Sequence, residues 1–387
     1  MNPPPASPAP PSLLECFADL PDPRVERTRA HKLEDILVIG LCSILALGED
    51  FTDMEFFGRT HEAWLKTFLE LPGGIPSHDT FNRVFAALDP DQFLACFQRW
   101  TQGVCGVLER QVVALDGKAL RHARNAGASV PYIVNAWATA QGLTLGQVKV
   151  DDKSNEITAV PALLRLLALK GCIVTLDAMG CQKDIAAQIV DQGADYLLAL
   201  KGNQGLAHRE VQEYFDAGLA GAPTPDGKPP FPPGCDFHQT LDKEHGRLES
   251  RRCWQATDLA WFEDKKLWPG LRSIALVEAT RESQGKSSTE RRFFLSSLPL
   301  DAAAFLAAVR SHWAVENSLH WTLDVIFRED DSRARTKNAA QNLATLRRLA
   351  LNLLKRDAGK KLATRKKRYL AAFDPSYLQQ LLEIKMR

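Results

Sequence analysis

The sequence lacks the pairings that mark zinc ribbons and disulfide frameworks. Its eight cysteines, at positions 16, 42, 96, 105, 172, 181, 235 and 253, include no CxxC pair, so neither kind of site is indicated. No apolar run approaches the ~20 residues of a membrane span. The opening MNPPPASPAPPS has no apolar core of a secretory signal. The expectation is a cytoplasmic protein with reduced, mostly buried thiols and no membrane partner. Three catalytic motifs also fail on inspection. Gly285-Lys286-Ser287 has Thr280 where a P-loop needs its first glycine. His61-Glu62 is followed by Leu65 where a zinc protease helix needs a second histidine. No serine sits in a GxSxG elbow.

What is present is an ordinary globular composition, 45% hydrophobic and 25% charged over 387 residues. That length suits two or three domains on a prior of roughly 150 residues each. The net charge of +1 conceals an asymmetry. From Ser332 to Arg387 there are fifteen Lys and Arg against three Asp and Glu, while the other 331 residues carry a net of −11. A basic end on an acidic body suits a polyanion, because Lys and Arg displace counterions from phosphates.

Read in order, the chain divides into five parts. Residues 1–12 hold six prolines and suit a disordered tail. Residues 13–109 read as an N-terminal helical domain, suited to a core and to binding a DNA end. Its aromatic and aliphatic residues recur at helical spacing, and Ser77-His78-Asp79-Thr80 and Asp89-Pro90 mark helix starts. At Gln111 the period changes to that of strands. Strands are predicted at 111–116, 131–139 and 143–151, then a helix at 156–169, a strand at 172–177, a helix at 182–192, a strand at 195–200 and a helix from Gln204. This order gives a mixed sheet of five strands with helices on both faces. Residues 218–300 interrupt it with a proline-rich loop and four strand-like segments, a β-rich insertion. Helices resume at Asp301 and at Lys337, so the core comprises 110–217 and 301–356. Residues 357–387 read as a basic C-terminal tail.

Two apolar runs of strand length each end in a carboxylate: Val112-Val113-Ala114-Leu115-Asp116 and Cys172-Ile173-Val174-Thr175-Leu176-Asp177. On neighbouring strands the two acids meet at one sheet edge. Close carboxylates repel, and a divalent cation between them removes the conflict; oxygen ligands favour Mg2+ or Mn2+. A two-ion site needs a third acid, and two compete. Glu156 opens the helix after the third strand and suits a cap or a supporting hydrogen bond. Glu316 shares a helix face with His312, Trp313, Leu319 and His320, an apolar and aromatic setting that suits a ligand or a buried, partnered acid. Lys118, Lys201 and Arg247 are candidates to hold phosphates. Asn203 and Gln204, at a strand–helix junction, are candidates for backbone or base contacts. His245 is a candidate phosphate-orienting group or turn cap.

These residues also carry a resemblance. Asp-Gly-Lys at 116–118, Lys-Ser-Asn-Glu-Ile at 153–157, Leu-Asp-Ala-Met-Gly-Cys-Gln at 176–182 and Leu-Lys-Gly-Asn-Gln at 200–204 resemble DDE transposases of bacterial insertion sequences, in the H-repeat-associated group. So do His-Gly-Arg-Leu-Glu at 245–249, His-Trp-Ala-Val-Glu-Asn at 312–317, the Asn338-Ala-Ala-Gln-Asn-Leu-Ala run and Gly-Ile-Pro-Ser-His-Asp-Thr at 74–80. The resemblance covers about residues 15–380. It implies an RNase H-like core with a β insertion before the helix of the last acid. It assigns Asp116, Asp177 and Glu316 as the metal triad holding two ions. The implied activity is cleavage at element ends and strand transfer into target DNA, in a synaptic homodimer. Related transposases often carry Tyr, Arg, Glu and Lys on the glutamate helix; here those positions are Val309, His312, Glu316 and Leu323. His312 therefore stands where an arginine would meet DNA, and hairpin chemistry is not implied. A nuclease without strand transfer and an inactive DNA-binding remnant are the rival readings.

Overall fold

A computed structural model describes residues 12–105, 110–123, 130–150, 156–221, 234–244, 247–283 and 286–383. The proline-rich start, the Lys153-Ser154-Asn155 turn and His245 lie outside the described residues.

Six helices open the chain: α1 (Leu13–Ala18), α2 (Leu33–Leu45), α3 (Phe51–Thr60), α4 (Glu62–Leu65), α5 (His78–Ala87) and α6 (Pro90–Cys105). Their starts follow the capping residues. Ser12 and Glu15 form a capping box on α1, Asp50 accepts from Thr52 N and Asp53 N on α3, and Ser77 accepts from Thr80 N on α5. Almost every residue of α2 is buried, so it forms the centre of the block rather than one of its faces.

The strands follow as β1 (Val112–Ala119), β2 (Tyr132–Ala138) and β3 (Leu143–Val150), a meander. Next come α7 (Glu156–Arg165), β4 (Ile173–Leu176), α8 (Lys183–Asp191), β5 (Asp195–Leu200) and α9 (Gly205–Leu219). The insertion supplies β6 (Cys235–Glu244), β7 (Arg247–Ala256), β8 (Ser273–Ser283) and β9 (Lys286–Ser296). The spatial order is β3-β2-β1-β4-β5-β9-β8-β7-β6, one sheet of nine strands. This corrects the expected sheet of five. Strand β5 leaves an open edge, and β9 pairs antiparallel with it from Leu197↔Ser296 to Leu200↔Phe293. Covering an exposed edge removes unpaired backbone groups, so the insertion extends the sheet.

Helix α10 (Ala302–Val315) returns the chain to the sheet, followed by two π-helical turns at Glu316–His320 and Thr322–Ile326. Then come α11 (Ala339–Arg356), α12 (Thr364–Phe373) and α13 (Pro375–Leu382). The expected basic tail is thus largely two packed helices. Arg368 enters the core and donates to Ile44 O, and Lys367 donates to Leu354 O at 2.8 Å. The N-terminal block is no separate lobe either: α2, α5 and α6 share one apolar core with α11, Leu319, Leu323 and Phe327.

Strand alternation assigns the faces. Val113 and Leu115 pack with α7, α8 and α9. Val112 packs towards α10, and Ala114 joins the core containing α11.

Candidate active site

Strands β1 and β4 run parallel from Val112↔Ile173 to Leu115↔Leu176, where β4 ends. The sequence places Asp116 at a strand terminus, but β1 continues to Ala119, paired to β2. Asp177 is the first residue past β4. A crevice therefore opens where β1 outruns β4, at the carboxyl ends of the parallel strands, a common place for ligands in open sheets. The negative charge of Asp177 is felt by Asp116.

The parity of β1 then decides which acids meet. Asp116 and Lys118 share the face of Ala114. On that face His320 Nδ1 lies 3.5 Å from Asp116 Oδ2 and 3.2 Å from Glu316 Oε2. Ligand atoms of Asp116, Glu316 and His320 all lie within 4.8 Å of one another. The π turn from Glu316 to His320 brings both side chains to one carboxylate. Such turns occur often at functional sites. His320 is buried and Glu316 exposed, its side chain 73% accessible.

Glu156 arrives from the other face. A Cβ on Gly117 would strike the Tyr132 ring and Glu156 Oε1, so glycine here lets Tyr132 reach across β1 to hydrogen-bond Glu156. Burial holds the Tyr132 phenol protonated well above its usual range, reinforced by the Glu156 carboxylate. Glu156 thus makes a supporting hydrogen bond, one of its two expected roles.

Electrostatics fit a cation. Burial pushes the Asp116 carboxyl up to about 7, and the charges of Glu156, Asp177 and Glu316 add to the rise. Among the described residues, none of these four carboxylates pairs with Lys or Arg. His320 Nε2 is buried without a hydrogen-bond partner. Carboxylate oxygens with one imidazole nitrogen form a donor set that suits a divalent metal.

The other predicted residues divide. Lys118 Nζ is buried against Asp324 at 2.6 Å, Asp330 at 3.0 Å and Glu329 at 3.7 Å. It ties β1 to the second π turn and the segment after it and has no exposed charge for a phosphate, which corrects that expectation. Asn203 Nδ2 donates to Ala178 O at 2.7 Å, and Gln204 Nε2 to Cys181 O at 2.9 Å; both brace the loop that follows Asp177. Lys201 is exposed and lines the same cavity as Asp177. His312, Arg292 and Trp313 line it too, and its volume is about 140 Å3. His312 Nδ1 lies 2.8 Å from Thr175 Oγ1, and burial brings its imidazole down to about 4. That burial favours the neutral ring. Arg247 starts β7, and its side chain lies outside the described residues. Sequence reasoning left His320 without a role; its i+4 spacing from Glu316 was the available signal.

A mixed sheet with acids gathered beside the ends of its parallel strands defines the class, an α/β protein with an acidic crevice whose donor set suits a cation. Within that class the chain belongs to the DDE transposase family. The family described as Transposase DDE domain matches residues 108–353, and the one described as DDE_Tnp_1-associated matches residues 14–101. Two Escherichia coli (strain K12) relatives are each named H repeat-associated putative transposase. YhhI is 39% identical over 381 residues, covering 96% of this chain and 97% of its own length. YbfD is 40% identical over 243 residues, covering 62% of this chain and 91% of its own. A piggyBac transposase synaptic complex with hairpin DNA aligns at 11% identity and a TM-score of 0.41, over 95% of this chain and 76% of that one. That similarity is too low to bear on the site. No helix among the described residues is long and apolar enough to cross a membrane.

Proposed function

We propose that this chain is an insertion-sequence transposase that cuts DNA at its element's ends and joins them to target DNA. The observation that carries the reading is the meeting of Asp116, Glu316 and His320 on one face of β1, with Asp177 at the adjoining strand end. Strands β3-β2-β1-β4-β5 are read as an RNase H-like core, which β6 to β9 extend. Asp116, Asp177 and Glu316 would hold Mg2+ or Mn2+, two ions in the full site, and His320 offers a further donor. Bound divalent metal supplies activation of the attacking oxygen and charge stabilisation of the leaving one.

The chain's own groups supply position. Asp177 Oδ1 accepts from Met179 N at 3.0 Å and Gly180 N at 3.2 Å, which fixes the carboxylate at the strand end. Lys201 and His312 line one cavity with Asp177, where Lys201 would meet a phosphate. Water attacking phosphorus releases a 3′ hydroxyl. That hydroxyl, attacking a target phosphorus in the same place, exchanges one ester for another. DNA ends and target are the partners, and two copies would act together in a synaptic complex.

The test is an in vitro reaction of wild-type protein, Mg2+, a labelled duplex carrying the element end and a supercoiled target. The expected products are cleaved ends and end–target joints. Cleavage with no joint would leave only a nuclease, and binding with neither product would leave an inactive remnant.

A further inference from the structure

The basic run at 360–368 divides into two sets, and on α12 the helical period separates Arg365 and Lys366 from Lys367 and Arg368. Lys367 and Arg368 turn inward. Lys367 Nζ lies 3.5 Å from Asp357 Oδ2. Arg368 donates to Ile44 O at 2.8 Å and to Gly48 O at 3.2 Å, and its guanidinium lies 4.4 Å from the Phe327 ring centre. Arg368 also donates to Ile326 O, the last residue of the second π turn. These contacts fix α12 against the end of the segment that carries Glu316 and His320.

The second set turns outward. Lys360, Lys361, Arg365 and Lys366 are exposed, beside exposed Lys355 and Arg356 at the end of α11. Asp357 and Asp374 have partners outside this set, while Glu383 neutralises Arg356. Asp357 accepts from Tyr377 Oη at 2.6 Å, Glu383 pairs with Arg356 at 3.2 Å, and Asp374 caps α13 through Ser376 N. Two rings lie among these cations. Tyr369 and Phe373 stack at 6.5 Å with planes 13° apart, and Phe373 is 80% exposed. Arg365 and Lys366 each lie 5.9 Å from the Tyr369 ring centre. Like charges crowded on one face repel, and exposed aromatic carbon is unfavourable in water. A polyanion with an apolar sugar edge relieves both.

We propose that the outer face of α12, with the last turn of α11 and the segment 357–363 that joins them, is a binding surface for duplex DNA, separate from the acidic crevice. Its cations sit on phosphates and its two rings against the sugar edge. The inference rests on the reading of the chain as a DNA transposase and adds a second contact region to it. Through Arg368 and Ile326, DNA held there is fixed relative to Glu316.

The experiment uses full-length protein and a duplex carrying the element end with its flank, with affinity measured by anisotropy across a salt series. The variant K360Q/K361Q/R365Q/K366Q is compared with K170Q/K265Q/K266Q/K286Q, which removes the same charge from exposed lysines elsewhere. Neutralising phosphate contacts lowers the slope of log K against log salt by ~0.9 per contact. The first variant is expected to lose at least about tenfold in affinity and roughly two to four units of slope, and the second neither. Tyr369→Ala with Phe373→Ala is expected to weaken binding while leaving the slope. Equal losses in the two neutralised sets, or none in the first, would overturn the proposal. So would tighter binding of an RNA duplex of the same sequence, or a changed dimer equilibrium with unchanged DNA affinity, which would make the face an interface between copies. Cleavage of a short duplex confined to the crevice is expected to persist in the first variant. Wild-type protein that binds DNA through this face and never cleaves would refute the transposase reading and leave the surface standing.

Discussion

Lys118 Nζ lies 2.6 Å from Asp324 Oδ1, two residues along β1 from the carboxylate that meets His320. One face of one strand thus grips the glutamate segment twice, through Asp116 at the first π turn and through Lys118 at the second. Replacing Lys118 by Met leaves three carboxylates sharing a site without their central cation. Breaking a buried ion pair from one side costs about 3–5 kcal/mol. Urea denaturation is expected to show a loss of that order for Lys118→Met and a smaller one for Lys118→Arg. A Met variant as stable as wild type would remove the clamp from the account.

Stability should also fall in acid through Glu329. Burial alone would raise its carboxyl; Arg348, then Lys118 and Arg347, reverse this and hold it below its usual range. Arg348 Nη1 lies 2.8 Å from Glu329 Oε1 and Arg348 Nε 2.6 Å from Asn135 Oδ1, so the pair also ties α11 to β2. A lowered folded pKa contributes stability that is fully present above the unfolded value of ~4.3 and lost as pH falls through the folded one. The penalty of Glu329→Gln is therefore expected to be largest near neutral pH and to shrink in acid. A penalty that grows as pH falls would contradict this sign.

Gly117→Ala places a methyl against Tyr132 and Glu156. Overpacking of this kind costs ~1–3 kcal/mol. Adding Tyr132→Ala to Gly117→Ala is expected to recover part of that loss, whereas Tyr132→Phe, which removes the hydroxyl but keeps the ring edge against the new methyl, recovers less. Thermal unfolding of wild type, the three single variants and the two doubles measures this coupling. Strictly additive effects would mean that the ring does not confine position 117.

Much of this arrangement is legible in the sequence because it is local. Apolar runs ending in Asp116 and Asp177 announce their strands, the change of period at Gln111 marks the start of the sheet, and the Glu316–His320 spacing lies on one helical face. The rest depends on partners distant in the chain. Lys118 reads as a surface cation until Asp324, Glu329 and Asp330 surround it. The basic run at 360–368 reads as a tail until Ile44, Ile326 and Leu354 offer carbonyls to two of its cations. The union of β5 with β9 depends on an open edge that strand propensity does not display. The parity of β1 separates Glu156 from Glu316, and it becomes visible only once both faces are covered.

That parity is the most direct point of attack. The measurement is Mg2+-dependent cleavage of a duplex carrying the element end, with DNA affinity recorded in parallel, for wild type, Glu316→Gln and Glu156→Gln. The account predicts cleavage by wild type, background cleavage with retained DNA binding for Glu316→Gln, and reduced but clear cleavage for Glu156→Gln. An active Glu316→Gln beside an inactive Glu156→Gln would contradict it and move the third acid to the opposite face of the sheet.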